Sequence, residues 1–151
     1  MVIDRYQTVW DFQLQMTRVL GIDLGEARVG IAVSDELGML AHPVETIQAR
    51  TTDVTARVLA LGEERGVTAF IVGMPRNMDG SFGPAAEKSR AFIAELQSRT
   101  PHPVLPWDER LTTVSAQRSL QSAGKNAKQQ RSIIDQVAAQ ILLQSWLDVQ
   151  A

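Results

Sequence analysis

Three carboxylates stand where apolar residues belong. Asp23 interrupts the run "VLGIDL", between Ile22 and Leu24. Asp108 and Glu109 end the run "VLPWDE", and Asp135 follows Ile133 and Ile134 in "SIIDQVAAQILLQSWLD". An unpaired buried carboxylate is costly, so acids in such places pair with a partner or coordinate a cation. Converging carboxylates hold hard cations such as Mg²⁺ or Mn²⁺. Those ions activate water and stabilise the leaving oxygen in phosphodiester hydrolysis. Taken singly, each acid also fits a plainer role. Asp108 and Glu109 could simply end a strand, and Asp135 could pair with Arg131 one turn earlier. All three together, on elements that one sheet could bring side by side, favour a metal site. Side chains alternate along a strand, so Asp108 and Glu109 cannot both face it. Spacing alone leaves open which one does.

Between Arg110 and Ile134 there is no acid, while Arg110, Arg118, Lys125, Lys128 and Arg131 all fall there. The stretch "GKNAKQQR" within it reads as a flexible loop. A phosphate backbone lying near the acids needs such positive flanks, although a solvated helix face and a polar loop would look the same. A second loop, "GMPRNMDGSFG", offers Arg76, Asn77 and Ser81 as donors, and its glycines let backbone N–H groups approach a phosphate. It follows the C-terminal end of a strand expected to be parallel, where α/β folds place their sites. His42 and His102 sit in Pro-flanked turns and receive no role.

The elements that must position these groups follow from periodicity. Val19–Leu24 and Val29–Ser34 read as a hairpin around Gly25 and "EAR", and "HPVETIQ" reads as a third strand with Pro43 at an edge position. "TTDVTARVLALGEERG" reads as a helix capped by Thr52 or Asp53 and ended by Gly66. "TAFIVGM" is a buried strand. Pro84 opens a helix whose inner face is Ala85, Phe92, Ile93 and Leu96. "PVLPWDE" is a strand, "TTVSAQRSLQSAG" a helix, and the chain closes with an apolar helix. On that helix, Ala138, Ala139 and Leu142 share a face with Asp135, and the small residues let it come close to the sheet. Three consecutive strands imply an antiparallel meander, and strands separated by helices imply parallel pairing. The expected fold is α/β, a mixed five-stranded sheet with helices on both faces.

A chain of 151 residues without an internal linker reads as one domain spanning residues 16–151, with residues 1–15 as an N-terminal extension. Cysteine is absent. That excludes disulfides and thiolate metal sites, and it suits a cytoplasmic location. No apolar run reaches the length of a membrane helix, and the first residues lack the pattern of a signal peptide. The net charge of −2 excludes a strongly basic coat but not a local basic patch.

The ordered blocks "VLGIDLGEARVGIAVSD", "VGMPRNMDGSFGPAAEKSRAF", "WDERLTT" and "IDQVAAQILLQSWLD" resemble the signatures of the YqgF/RuvX family. Its members are described as Holliday-junction resolvase-like proteins and as pre-16S rRNA nucleases. The resemblance covers about Arg18 to Asp148 and implies an RNase H-like fold. It carries the family's acidic triad onto Asp23, Glu109 and Asp135, thereby choosing Glu109 over Asp108, and its basic loop onto "GKNAKQQR". It implies two Mg²⁺ or Mn²⁺ ions about 4 Å apart at the scissile phosphate, with Asp23 bridging them and Arg110 or Arg131 offsetting phosphate charge. The implied substrate is branched DNA or precursor rRNA, and junction resolution would call for a homodimer. Two other classes compete. "GIDLG" also opens the phosphate loop of ATP-binding proteins of the actin/Hsp70 type, but those need two such lobes. A non-catalytic nucleic-acid-binding or regulatory protein could keep the same fold.

Overall fold

The computed structural model describes residues 18–75, 81–109 and 127–150, and for residues 127–132 the backbone only. The strands are β1 (Arg18–Leu24), β2 (Arg28–Ser34), β3 (Ala41–Gln48), β4 (Val67–Met74) and β5 (Val104–Asp108). The helices are α1 (Val54–Glu64), α2 (Pro84–Arg99) and α3 (Ala127–Gln150). The sheet order is β3-β2-β1-β4-β5, with β1 central. β1–β2 and β2–β3 pair antiparallel, whereas β1–β4 and β4–β5 pair parallel. This is the mixed five-stranded sheet expected from the element order.

Strand alternation divides the core in two. Leu20, Ile22, Val29, Ile31, Phe70 and Val72 point to one face, against Val58 and Leu61 of α1 and Phe92 and Leu96 of α2. Val19, Ala32, Ala69 and Ile71 point to the other, against Ala139, Leu143 and Leu147 of α3. Burying each large aliphatic side chain contributes about 1.5–3 kcal/mol relative to leaving it exposed, so both faces need their helices.

Local chemistry sets the boundaries. Asp53 caps α1, accepting a bond from the Ala56 N–H at 3.1 Å. Gly66 follows the end of that helix with φ of 66°, a conformation that glycine adopts without steric cost. Pro43 lies in the edge strand β3, and the register shifts between Ile31 and Ala32 opposite it.

Several expectations need correction. β2 begins at Arg28, so this residue belongs to the strand and not to the turn. Ala86, not Ala85, is the buried alanine of α2, because it lies in register with Ser89, Phe92 and Leu96. The stretch read as a flexible loop is helical from Ala127 onward. Its Ala, Lys, Gln and Arg residues are all good helix formers, so α3 begins earlier than its apolar pattern. The helix expected at "TTVSAQRSLQSAG" and the extension at residues 1–15 lie outside the described residues. Among the described residues, no helix is long and apolar enough to cross a membrane.

α3 is pinned to the sheet at several points. Gln144 accepts from the Ala41 N–H at 2.8 Å and donates to the Met39 carbonyl at 2.9 Å. Gln140 donates to the Ala41 carbonyl at 3.1 Å. At the far edge, Trp107 Nε1 of β5 donates to Ser145 Oγ at 2.6 Å. The helix also passes directly over β2 and β1. A Cβ added at Gly30 would lie 1.8 Å from the Asp135 carbonyl oxygen, and one at Gly21 would lie 2.8 Å from Leu143 Cβ. Gly30→Ala therefore has to lift α3. The expected loss is about 1–3 kcal/mol or more, read as a lower melting temperature. Unchanged stability would mean that the helix does not need this contact.

Candidate active site

Asp23 occupies the last position of β1 that faces α3. It follows Val19 and Gly21 on that face and sits opposite Gly30 of β2. This explains a carboxylate inside an apolar strand: its side chain leaves the core and enters the gap between the sheet and α3. On the parallel side, Gly73 of β4 is in register with Trp107 of β5. Two residues beyond Trp107, Glu109 returns to the same face. A Cβ at Gly73 would lie 2.1 Å from Glu109 Oε1, so that glycine leaves the room the Glu109 side chain occupies. Asp108 turns the other way and lines a cleft with Met74, Phe82, Arg90, Pro106 and Trp107. Glu109, and not Asp108, thus shares the face of Asp23.

Asp23 and Glu109 are hydrogen-bonded to each other. Two carboxylates in contact cannot both be ionised without strong repulsion. Burial pushes the Glu109 carboxyl up to about 9, and the bond to Asp23 and the charges of Asp23 and Asp108 add to the rise. Burial also raises Asp23; accepting the Glu109 bond works against that rise, and the Asp135 charge adds to it. Near neutral pH the pair therefore shares a proton between its two carboxyls.

Asp135 comes from α3, on the same side of the sheet, close enough for its charge to act on Asp23. Its own partner is Arg28, whose Nε donates to Asp135 Oδ2 at 2.7 Å. The alternative partner considered from sequence was Arg131, whose side chain is not described. Among the described residues, no three His, Asp or Glu side chains close on one point as a ready cage for a metal ion. The structure brings Asp23 and Glu109 into contact, with Asp135 beside them and held by an arginine. Arg76, Asn77, Arg110, Arg118 and Lys125 lie outside the described residues, while Lys128 and Arg131 ride on the first turns of α3.

Sequence reasoning missed Arg28 and the three glycines around the acids. The signal for the glycines was present. Gly21, Gly30 and Gly73 each interrupt a strand, and glycine inside a strand marks a close approach by another group.

A family model described as Holliday junction resolvase (RuvX) matches residues 17–149. The chain belongs to this family. Relatives named "Putative pre-16S rRNA nuclease" include one from Halothermothrix orenii, 47% identical over 134 residues and covering 88% of this chain and 96% of that protein. Another, from Geobacillus kaustophilus, is 46% identical over 134 residues, covering 87% and 97%. Among solved structures, RuvC of T. thermophilus in complex with a Holliday junction substrate matches with a TM-score of 0.57 at 15% identity, covering 89% of this chain and 95% of that one. The yeast mitochondrial Holliday junction resolvase Ydc2 matches with a TM-score of 0.56 at 12% identity, covering 98% and 87%. At such identities the likeness speaks for the fold alone, and that fold is the RNase H-like one expected. This RuvX-family chain is thus a member of a nuclease family, as its sequence blocks implied.

The shared proton has a consequence for stability. A carboxyl whose folded value lies above its ordinary one binds its proton more tightly in the folded chain. Its contribution is full below the ordinary carboxylate value of 4.5 and is lost as pH climbs toward about 9. The metal-free protein should melt at progressively lower temperature across that window. Glu109→Gln, which keeps a donor beside Asp23 but cannot ionise, should flatten the decline. An unchanged decline in the variant would place the titration elsewhere.

Proposed function

We propose that this chain is a divalent-metal-dependent endonuclease that hydrolyses phosphodiester bonds in structured nucleic acid and acts in the cytoplasm. The candidate substrates are precursor 16S rRNA, after the names of its relatives, and the four-way DNA junction, after the description of its family. The observation that carries the reading is the Asp23–Glu109 pair beside Asp135, on one face of the sheet. A pair of acids kept together by a proton is a site whose charge a cation can balance when the proton leaves.

The donor set fits the group. All three side chains are carboxylates, which suit hard, oxygen-seeking ions such as Mg²⁺ or Mn²⁺ and disfavour soft metals. Asp23, central in the sheet, would hold the ion together with Glu109 and Asp135. When bound, such ions supply an activated water and charge relief at the leaving oxygen. The chain itself supplies the orientation. Gly73 makes room for Glu109, and the close passage of α3 over Gly30 fixes the backbone that carries Asp135. Phosphate contacts on this reading come from Arg76, Asn77, Arg110, Arg118, Lys125, Lys128 and Arg131. Cutting a junction symmetrically would require two copies of the chain, whereas trimming an rRNA precursor would not.

Asp23→Asn should abolish Mn²⁺-dependent cleavage while the fold persists, since the change also relieves carboxylate repulsion. Glu109→Gln should lower the rate by more than about 100-fold, beyond what loss of an outer-shell partner of a metal ligand costs, and Asp108→Asn far less. Cleavage assays on a junction and on a 5′-extended rRNA precursor, run side by side, check this. Wild-type turnover by Asp23→Asn would overturn the reading. Tight binding without cleavage of either substrate by the wild type would instead make the protein a non-catalytic binder.

A further inference from the structure

The ion pair at Asp135 is placed oddly for a purely structural bond. α3 is already anchored by Gln140, Gln144 and the Trp107–Ser145 bond. The position of the Asp135 backbone is set by its contact over Gly30. The helix thus has anchors besides Arg28, whose guanidinium sits on the one acid of the three that is not bonded to another acid.

Arg28 has a rigid base and a free reach. Its carbonyl accepts from the Gly25 N–H at 2.9 Å across the β1–β2 turn. A Cβ at Gly25 would stand 2.5 Å from that same oxygen, so the turn is closed tightly on glycine. The side chain itself remains about one-third exposed, at 34%. A second cation reaches the same turn from α2: Lys88 Nζ donates to the Gly25 carbonyl at 3.0 Å and is exposed. The turn thus meets two positive side chains, Arg28 on the α3 side, where it holds Asp135, and Lys88 from α2, which lies on the other side of the sheet; both come from elements distinct from those carrying the basic residues named above.

A guanidinium and a metal ion cannot both take full possession of one carboxylate. We propose that Arg28 is a built-in counter-ion. It holds Asp135 in the metal-free protein and is released onto a phosphate of the nucleic-acid strand when a divalent ion takes that carboxylate, while Lys88 contacts a neighbouring phosphate from the same turn. The guanidinium fork suits either anion, carboxylate or phosphate. The exchange couples metal loading to strand binding without movement of the backbone. It rests on the metal-dependent reading of the site.

The test is calorimetric titration of Mn²⁺ into the full chain without nucleic acid, for wild type, Arg28→Gln, Arg28→Lys and Asp23→Asn. Arg28→Gln should bind Mn²⁺ about 2- to 5-fold more tightly, the range expected from removing a partly exposed competing ion pair. Arg28→Lys should restore affinity toward wild type. Strand binding is then measured over several salt concentrations, with Ca²⁺ in place of Mn²⁺ so that the strand stays uncut. Arg28→Gln and Lys88→Ala should each lower the slope of log K against log salt by roughly 0.7 to 0.9. Unchanged or weaker Mn²⁺ binding by Arg28→Gln would make Arg28 a structural or positioning partner and overturn the proposal. An unchanged salt slope would remove the phosphate half of it. If wild type and Asp23→Asn take up Mn²⁺ alike, the metal site itself is wrong, and the counter-ion role falls with it.

Discussion

Two carboxylates pressed together away from bulk water need something positive between them. In this protein the contact between Asp23 and Glu109 is the constraint around which the rest is arranged. The metal-free chain meets it with a proton, as burial and the neighbouring charges of Asp23 and Asp108 raise Glu109 well above its ordinary value. The same demand explains why the central strand gives up an apolar position at its end. Asp23 lies on the α3 face of the sheet, while Leu20 and Ile22 of the same strand point to the apolar cluster on the opposite face.

The approach of α3 is the second half of the arrangement. A helix normally rides on side chains, and here it crosses the sheet where Gly21 and Gly30 leave the strands bare. The approach draws Asp135 in toward the acid pair, while Gly73 does the equivalent service for Glu109 from the parallel side. Three strand glycines, each unfavourable for a strand in isolation, are therefore the geometric counterpart of the three acids. Stability given up in local propensity is recovered by packing Ala139, Leu142, Leu143 and Leu147 onto the sheet.

Much of this was legible in the chain. Alternation and turn residues marked the five strands and their mixed pairing, because each strand's burial pattern is a local property. Asp23 announced itself by breaking an apolar run. Glu109 and Asp108 were not separable by local pattern, since the answer lies in which face β5 presents after pairing with β4. Arg28 was read as a polar turn residue because its partner Asp135 is 107 positions away, and no local period records such a contact. The start of α3 was misplaced for the opposite reason. Its polar first turns carry no apolar stripe, and their helical propensity was the only available signal. Ala139 packs on the sheet as its small size allows, while Gly21 and Gly30 opposite α3 set how close the helix comes.

The central claim is that a divalent ion takes the place of the proton held between Asp23 and Glu109. The most direct measurement is the number of protons released when Mn²⁺ binds, obtained by calorimetry at neutral pH in buffers of different ionisation enthalpy. The account predicts release of about one proton per chain, and none when Glu109 is replaced by Gln. Binding of Mn²⁺ by the wild type with no proton released would contradict it.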